Sequence, residues 1–361
     1  METMAIPSPL AELHQQAGAT VGEFLGCSLP ARFAGFDEEY KSARTGAALV
    51  DANYLACLHF AGPDRVRYLN AITTNDVAGL KEGQGNIGLL LNPQGHILAE
   101  LITLALPDRL LVLSHAAVRG RTAQTLDKFI IMDDVAMTDA TEATGALAVE
   151  GPAADALLHE ACGVRLNAMA EFAHREAVVG TTSCRVVRSD QFGAVGALIL
   201  AERAQLAALW KILLEAVRRH AGGPVGCEAL NTLRLEAGIP WFGLDFDDKV
   251  IPHEAGLETS HINFTKGCYT GQEIVERVRS RGHVNRRRVG LKLSAWPAAS
   301  PPRLFFQGKD IGWVTSVAPS PALGAFIGMG YLRTEHSAPG TRLETEGAPV
   351  EVVQLPVLPA K

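Results

Sequence analysis

Apolar and polar positions along the chain fall into short blocks whose period changes repeatedly. Ser8-Pro9 opens a first helical stretch, because a serine can cap and a proline suits the first turn, and Asp37 to Arg44 forms a second after short apolar pieces. Pro63-Asp64-Arg65-Val66 starts a third helix that runs to about Ile72. From Gly85 the pattern becomes Ile87 to Leu91, then Asn92-Pro93-Gln94-Gly95, then Ile97 to Ile102. Proline presets φ and glycine accepts positive φ, so this reads as a β-hairpin. A strand over Arg109 to Ser114 and a helix over Ala116 to Phe129 follow.

A second cycle repeats the mixture: strand Ala146 to Glu150, helix Pro152 to Ala161, strands Ser183 to Val187 and Ala194 to Leu200, helix Arg203 to His220. Hairpins without regular βαβ spacing predict α+β units on antiparallel sheets. After Arg286 the helical signals stop. Val289 to Leu293, Ile311 to Val317, Phe326 to Tyr331, Thr341 to Glu344 and Val350 to Leu355 read as strands of a small barrel or sandwich, with a turn at Pro297 to Pro302. The expected division is 1–145, an α+β unit that later segments may complete, 146–285, a second α+β unit, and 286–361, a C-terminal β-barrel.

At 361 residues the chain has room for two or three cores, and 47% apolar with 20% charged residues fits a folded globular protein. Lys and Arg total 33 against 39 Asp and Glu, a net charge of −6, which argues against a general nucleic-acid binder. No uncharged apolar run approaches the ~18 residues a spanning helix needs. Met1 to Leu25 has acids and no basic cluster before an apolar core, unlike a signal peptide, so no membrane partner and a cytoplasmic location are expected. The six cysteines include no C-x-x-C pair, and no metal site is expected. Gly83-Gln84-Gly85-Asn86-Ile87-Gly88 spells a dinucleotide fingerprint, but a hairpin rather than a helix follows it, so it reads as turn glycine. His159-Glu160 and His253-Glu254 lack the second histidine of a zinc helix, and no serine sits in G-x-S-x-G.

The densest polar cluster is Thr265 to Arg281, where Gly271-Gln272-Glu273 leads into a helix with Ile274, Val275 and Val278 on one face. A helix N-terminus and Lys266 would each favour a thiolate at Cys268. A buried thiol beside a glycine turn is the structural alternative, and a tyrosine such as Tyr269 is more often a packing residue than a stacking platform.

Lys266-Gly267-Cys268-Tyr269-Thr270-Gly271-Gln272-Glu273 resembles the K-G-C-Y-x-G-Q-E signature of the YgfZ-type folate-binding proteins, which include mitochondrial iron–sulfur assembly factors. Leu69 to Leu80, Leu91 to Gly95, Leu233 to Pro240, Ile251 to Leu257 and Ile311 to Ser316 resemble the wider superfamily shared with the glycine-cleavage T-protein. The resemblance implies three domains in a ring around a folate-sized opening, closed by a C-terminal β-barrel. It implies tetrahydrofolate as the ligand, and Cys268 as a functional thiol at the mouth of the opening. The implied function is support of iron–sulfur enzyme assembly or repair, with a link to tRNA modification, iron–sulfur client or assembly proteins as partners, and no turnover of its own. The alternative is a tetrahydrofolate-dependent aminomethyltransferase of the glycine cleavage system.

In that enzyme the hairpin resembling Asn92 to Glu100 ends in Asp-Asp near the folate's reactive nitrogens. Here the pair is Ala99-Glu100, one methylene longer. The enzyme's Y-T-G-E-x-G segment is replaced by Ser189-Asp190-Gln191-Phe192-Gly193, which leaves Asp190 as the candidate for the pterin edge. Arg234 suits a carboxylate of the folate tail, or a pairing with Glu236. Asn75 lines the pocket or caps a turn. The charge total hides an uneven distribution: Lys266 to Lys292 holds eight basic residues and two acids, a run that is a solvated face or a lure for an acidic ligand.

Overall fold

A computed structural model of the chain describes residues 5–190 and 192–358. Its architecture is mixed α+β with antiparallel sheets and a closed six-stranded C-terminal barrel, as the sequence leads one to expect. Gly85–Leu91 and Ile97–Ala105 pair antiparallel across the Asn92–Gly95 turn, where Gly95 sits at φ +78°. With Leu110–His115, Leu55–Ala61 and Ala136–Asp139 they make a five-stranded sheet. Helix Arg65–Ile72 covers its outer face, burying Tyr68, Leu69 and Ile72 against Leu58, Phe60, Leu90 and Val112.

The second unit is a six-stranded sheet in the order His174–Val179, Thr182–Arg188, Gly196–Glu202, Thr144–Glu150, Ala48–Asp51, Gly223–Pro224. Helices Ala154–Cys162 and Leu206–Arg219 lie on one face and bury Leu157, Leu158, Leu209, Trp210 and Leu213 against Leu147, Val149, Val186 and Ile199. The opposite face meets the five-stranded sheet in a shared core that includes Ile102, Leu113, Ala148 and Leu198. Because both faces are covered, Ala48–Asp51 and Leu110–His115 are buried at every position, and their apolar residues, Ala48 to Val50 and Leu110 to Leu113, run without alternation.

The barrel runs Arg286–Leu293, Ala325–Arg333, Lys309–Ser320, Arg303–Phe306, Arg342–Thr345, Ala348–Val353, and back to its first strand. Helix Cys227–Glu236, which the sequence pattern does not single out, packs the barrel onto the rest of the chain: Asn231 and Thr232 donate hydrogen bonds to the carbonyls of Val317 and Pro319. Gly83 sits in a turn at φ +80° and Gly85 opens a strand, so the glycine triplet is turn chemistry. No described helix is long and apolar enough to cross a membrane.

Candidate functional site

Where the two sheets, the segment 238–261 and the barrel meet, they enclose a cavity of about 600 Å³. Each unit contributes to its wall: Asn75, Glu100 and His115 from the first, Phe172 and Asp190 from the second, Trp241 and His261 from the connecting segment, Arg288 from the barrel. Pleating decides which residue of the hairpin reaches it. Glu100 stands opposite Leu89 on Ile97–Ala105, between the fully buried Ala99 and Leu101 that face the other way.

The Glu100 side chain is 16% exposed and sits between two imidazoles. His261 Nε2 lies 3.1 Å from Oε1, and His115 Nε2 lies 3.5 Å from Oε2. Burial alone would raise its pKa, but hydrogen bonds and charge from His115 and His261 outweigh burial and hold it down at about 2. Ser260 Oγ meets Nδ1 of His261 at 2.7 Å, which fixes that ring. The His115 ring leans on Tyr54 and Phe242, and its buried Nδ1 has no hydrogen-bond partner among the described residues. The result is a carboxylate that stays ionised throughout the neutral range, turned into a cavity walled by Trp241, Phe172 and Ile102.

The other sequence candidates divide. Asn75 lines the cavity, but its side-chain amide is spent on backbone: Nδ2 donates to the Ile87 carbonyl at 2.7 Å, and Oδ1 accepts from the Asp76 N–H at 2.8 Å. Asp190 also lines the cavity and is ion-paired with Arg188; its neighbour Gln191 lies outside the described residues. Arg234 is fully buried and pairs with Asp245 rather than with Glu236. Its Nε and Nη2 donate to Asn231 Oδ1 and its guanidinium lies over the Trp241 ring at 4.9 Å, so it supports the wall from behind. Glu236 instead accepts from Tyr40, Arg44 and Ser320.

The segment Lys266 to Glu273 does not line the cavity at any position. Cys268 and Gly267 are exposed, Tyr269 is buried with Leu89, Leu91 and Ile97, and Gly271 at φ +81° leads into helix Gln272–Arg281, whose first turn holds Glu273 ion-paired to Arg277. The Lys266 ammonium is held by backbone: its Nζ donates to the carbonyls of Asn70, Thr73 and Asn75. Cys268, expected at the mouth of the opening, is not among the residues that line it. Within the basic run, Arg277, Arg279 and Arg286 are ion-paired and Arg288 is turned inward, while Arg281, Arg287 and Lys292 are exposed.

His115, His261, Trp241 and Arg288 were not found by sequence reasoning. Arg288 was legible only as one charge in a run. It donates from Nε to the Ala255 carbonyl at 2.7 Å, and burial pushes its pKa down.

Comparison with known proteins bears on both expected functions. Residues 10–266 match the family model described as the GCVT N-terminal domain, and residues 286–358 match the glycine cleavage T-protein C-terminal barrel domain. An aminomethyltransferase of Shouchella clausii is 30% identical over 96% of this chain and 95% of its own. A mitochondrial aminomethyltransferase of Gallus gallus is 32% identical over 98% of this chain and 92% of its own. The crystal structure of glycine cleavage system aminomethyltransferase T from Bartonella henselae superposes with a TM-score of 0.89, at 28% identity, over 99% of both chains. These relatives overturn the iron–sulfur maintenance reading, together with its client proteins and its link to tRNA modification. They lend nothing to the narrower YgfZ-type assignment drawn from the cysteine segment.

Proposed function

The chain belongs to the glycine-cleavage T-protein family, and from that premise we propose that it is a tetrahydrofolate-dependent aminomethyltransferase. Enzymes of that name in the glycine cleavage system use tetrahydrofolate as the methylene acceptor. The observation that carries the reading is the ionised Glu100 carboxylate, fixed between His115 and His261 inside the central cavity.

The cavity suits such a ligand. Its volume of about 600 Å³ is that of a small-molecule site, and Trp241 and Phe172 offer flat apolar walls to a pterin ring. Asp190 is the acid available to the ring's amino edge, and Arg288 is the inward cation available to a carboxylate. Moving the methylene carbon from the sulfur of an aminomethylated lipoyl carrier to two folate nitrogens, with the carrier thiol and ammonia as leaving groups, passes through a carbon–nitrogen centre with developing positive charge. A carboxylate that is already ionised and already oriented stabilises that charge without reorganisation. With a pKa at about 2, Glu100 is a poor proton acceptor near neutrality, so its part is electrostatic.

The test is direct. Purified protein is mixed with tetrahydrofolate and an aminomethylated lipoyl carrier, and methylene-tetrahydrofolate is measured. Its formation is expected, and a preparation that binds tetrahydrofolate but forms none overturns the assignment.

A further inference from the structure

Lys266 belongs to the segment that stood out in the sequence yet does not touch the cavity. Its ammonium is half-buried, donates to three backbone carbonyls, and faces the Tyr269 ring at 5.3 Å. Among the described residues no carboxylate lies within ion-pair distance, and burial lowers its pKa to about 8. A cation desolvated in this way is costly unless each donor has a fixed partner.

Those partners are the end of helix Arg65–Ile72 and the turn after it, and the same turn is tied twice more. Thr74 Oγ1 donates to the His261 carbonyl at 2.7 Å, and the Asn263 N–H donates to the Thr74 carbonyl at 3.0 Å. Thr74 also exchanges hydrogen bonds with the hairpin: its N–H donates to the Leu89 carbonyl, and its Oγ1 accepts from the Leu89 N–H. Three segments thus meet at one joint, and each leaves it carrying a cavity residue: Asn75 from the turn, Ile87 from the hairpin and His261 from the connecting segment. His261 in turn holds Glu100.

We infer that Lys266 is a positioning residue for the folate site: by gathering the carbonyls of Asn70, Thr73 and Asn75 it sets the spacing between the Asn75 wall and the His261–Glu100 pair. This rests on the assignment of tetrahydrofolate to the cavity. It also gives the lysine of the K-G-C-Y segment a role that does not involve the cysteine.

The test compares wild type, Lys266→Met and Lys266→Arg by calorimetry with tetrahydrofolate and by amide hydrogen exchange. Lys266→Met should weaken tetrahydrofolate binding by about tenfold, because small displacements in a preorganised site are felt strongly. Exchange should accelerate at 73–77 and 85–91 while the barrel is unchanged, and Lys266→Arg, which keeps donors for the carbonyls, should restore most of the binding. Binding by Lys266→Met within about twofold of wild type, acceleration spread over the whole chain, or an arginine variant no better than methionine overturns the inference. Should the wild type bind no tetrahydrofolate, the functional assignment itself fails. Exchange then decides the joint alone: acceleration confined to it supports the inference, and unchanged exchange overturns it.

Discussion

At the scale of single residues, the site turns on one carboxylate and its two histidines. Glu100→Gln keeps the shape and removes the charge, so transfer should fall by about two to three orders of magnitude while tetrahydrofolate affinity changes little, a split read from kcat and KM. The same pairing links stability to acidity. Glu100 is lowered from its ordinary value of 4.5 to about 2 in the folded protein, so its contribution is complete above the ordinary value and is lost as pH falls towards 2. Thermal unfolding followed from pH 5 down to pH 2 should show Glu100→Gln losing less than wild type. Cys268→Ala, by contrast, should leave transfer within about twofold of wild type, since an exposed side chain away from the cavity is removed. Glu100 was legible only through the resemblance of the Asn92 to Glu100 segment to the enzyme's Asp-Asp hairpin. The sequence hid His261, because a partner 161 residues away leaves no local trace.

Among the elements, those carrying strong turn chemistry were legible and those stabilised by tertiary burial were not. Asn-Pro-Gln-Gly marked its hairpin because the turn needs positive φ at Gly95, and the paired strands form as read. Ala48–Asp51 escaped because it is short and covered on both faces, leaving no alternation to detect. Cys227–Glu236 escaped because seven of its ten residues are buried, Thr232, Arg234 and Glu236 among them, so polar residues occupy its inner positions. The hairpin and the helix Gln272–Arg281 are locked at one contact. A Cβ at Gly271 would come within 2.7 Å of the Asn92 carbonyl oxygen, and one at Gly95 within 3.0 Å of Ile274, with both glycines at positive φ. Gly271→Ala is therefore expected to cost about 1–3 kcal/mol in denaturant unfolding, through backbone strain and a clash with main chain that has nowhere to move.

For the molecule as a whole, the charge that matters is not the net of −6 but one buried pair that joins the barrel to the rest. Asp245 accepts from Arg234, from the Trp241 N–H, and from the hydroxyls of Thr315 and Ser316 on a barrel strand. It therefore connects helix Cys227–Glu236, the cavity wall at Trp241 and the barrel through a single carboxylate. Asp245→Asn keeps the shape but leaves the Arg234 charge buried without compensation, so unfolding should be easier by about 3–5 kcal/mol. Replacing both partners by apolar residues, as in Arg234→Met with Asp245→Leu, should recover part of that loss, because neither charge then needs desolvating. The two variants separate stability from function. If the pair also holds the wall, the double variant will regain stability yet bind tetrahydrofolate more weakly than wild type, since Trp241 has lost both the guanidinium behind its ring and the acceptor for its N–H. Calorimetry on both variants decides it, and wild-type affinity in the double variant would reduce the pair to a structural clasp.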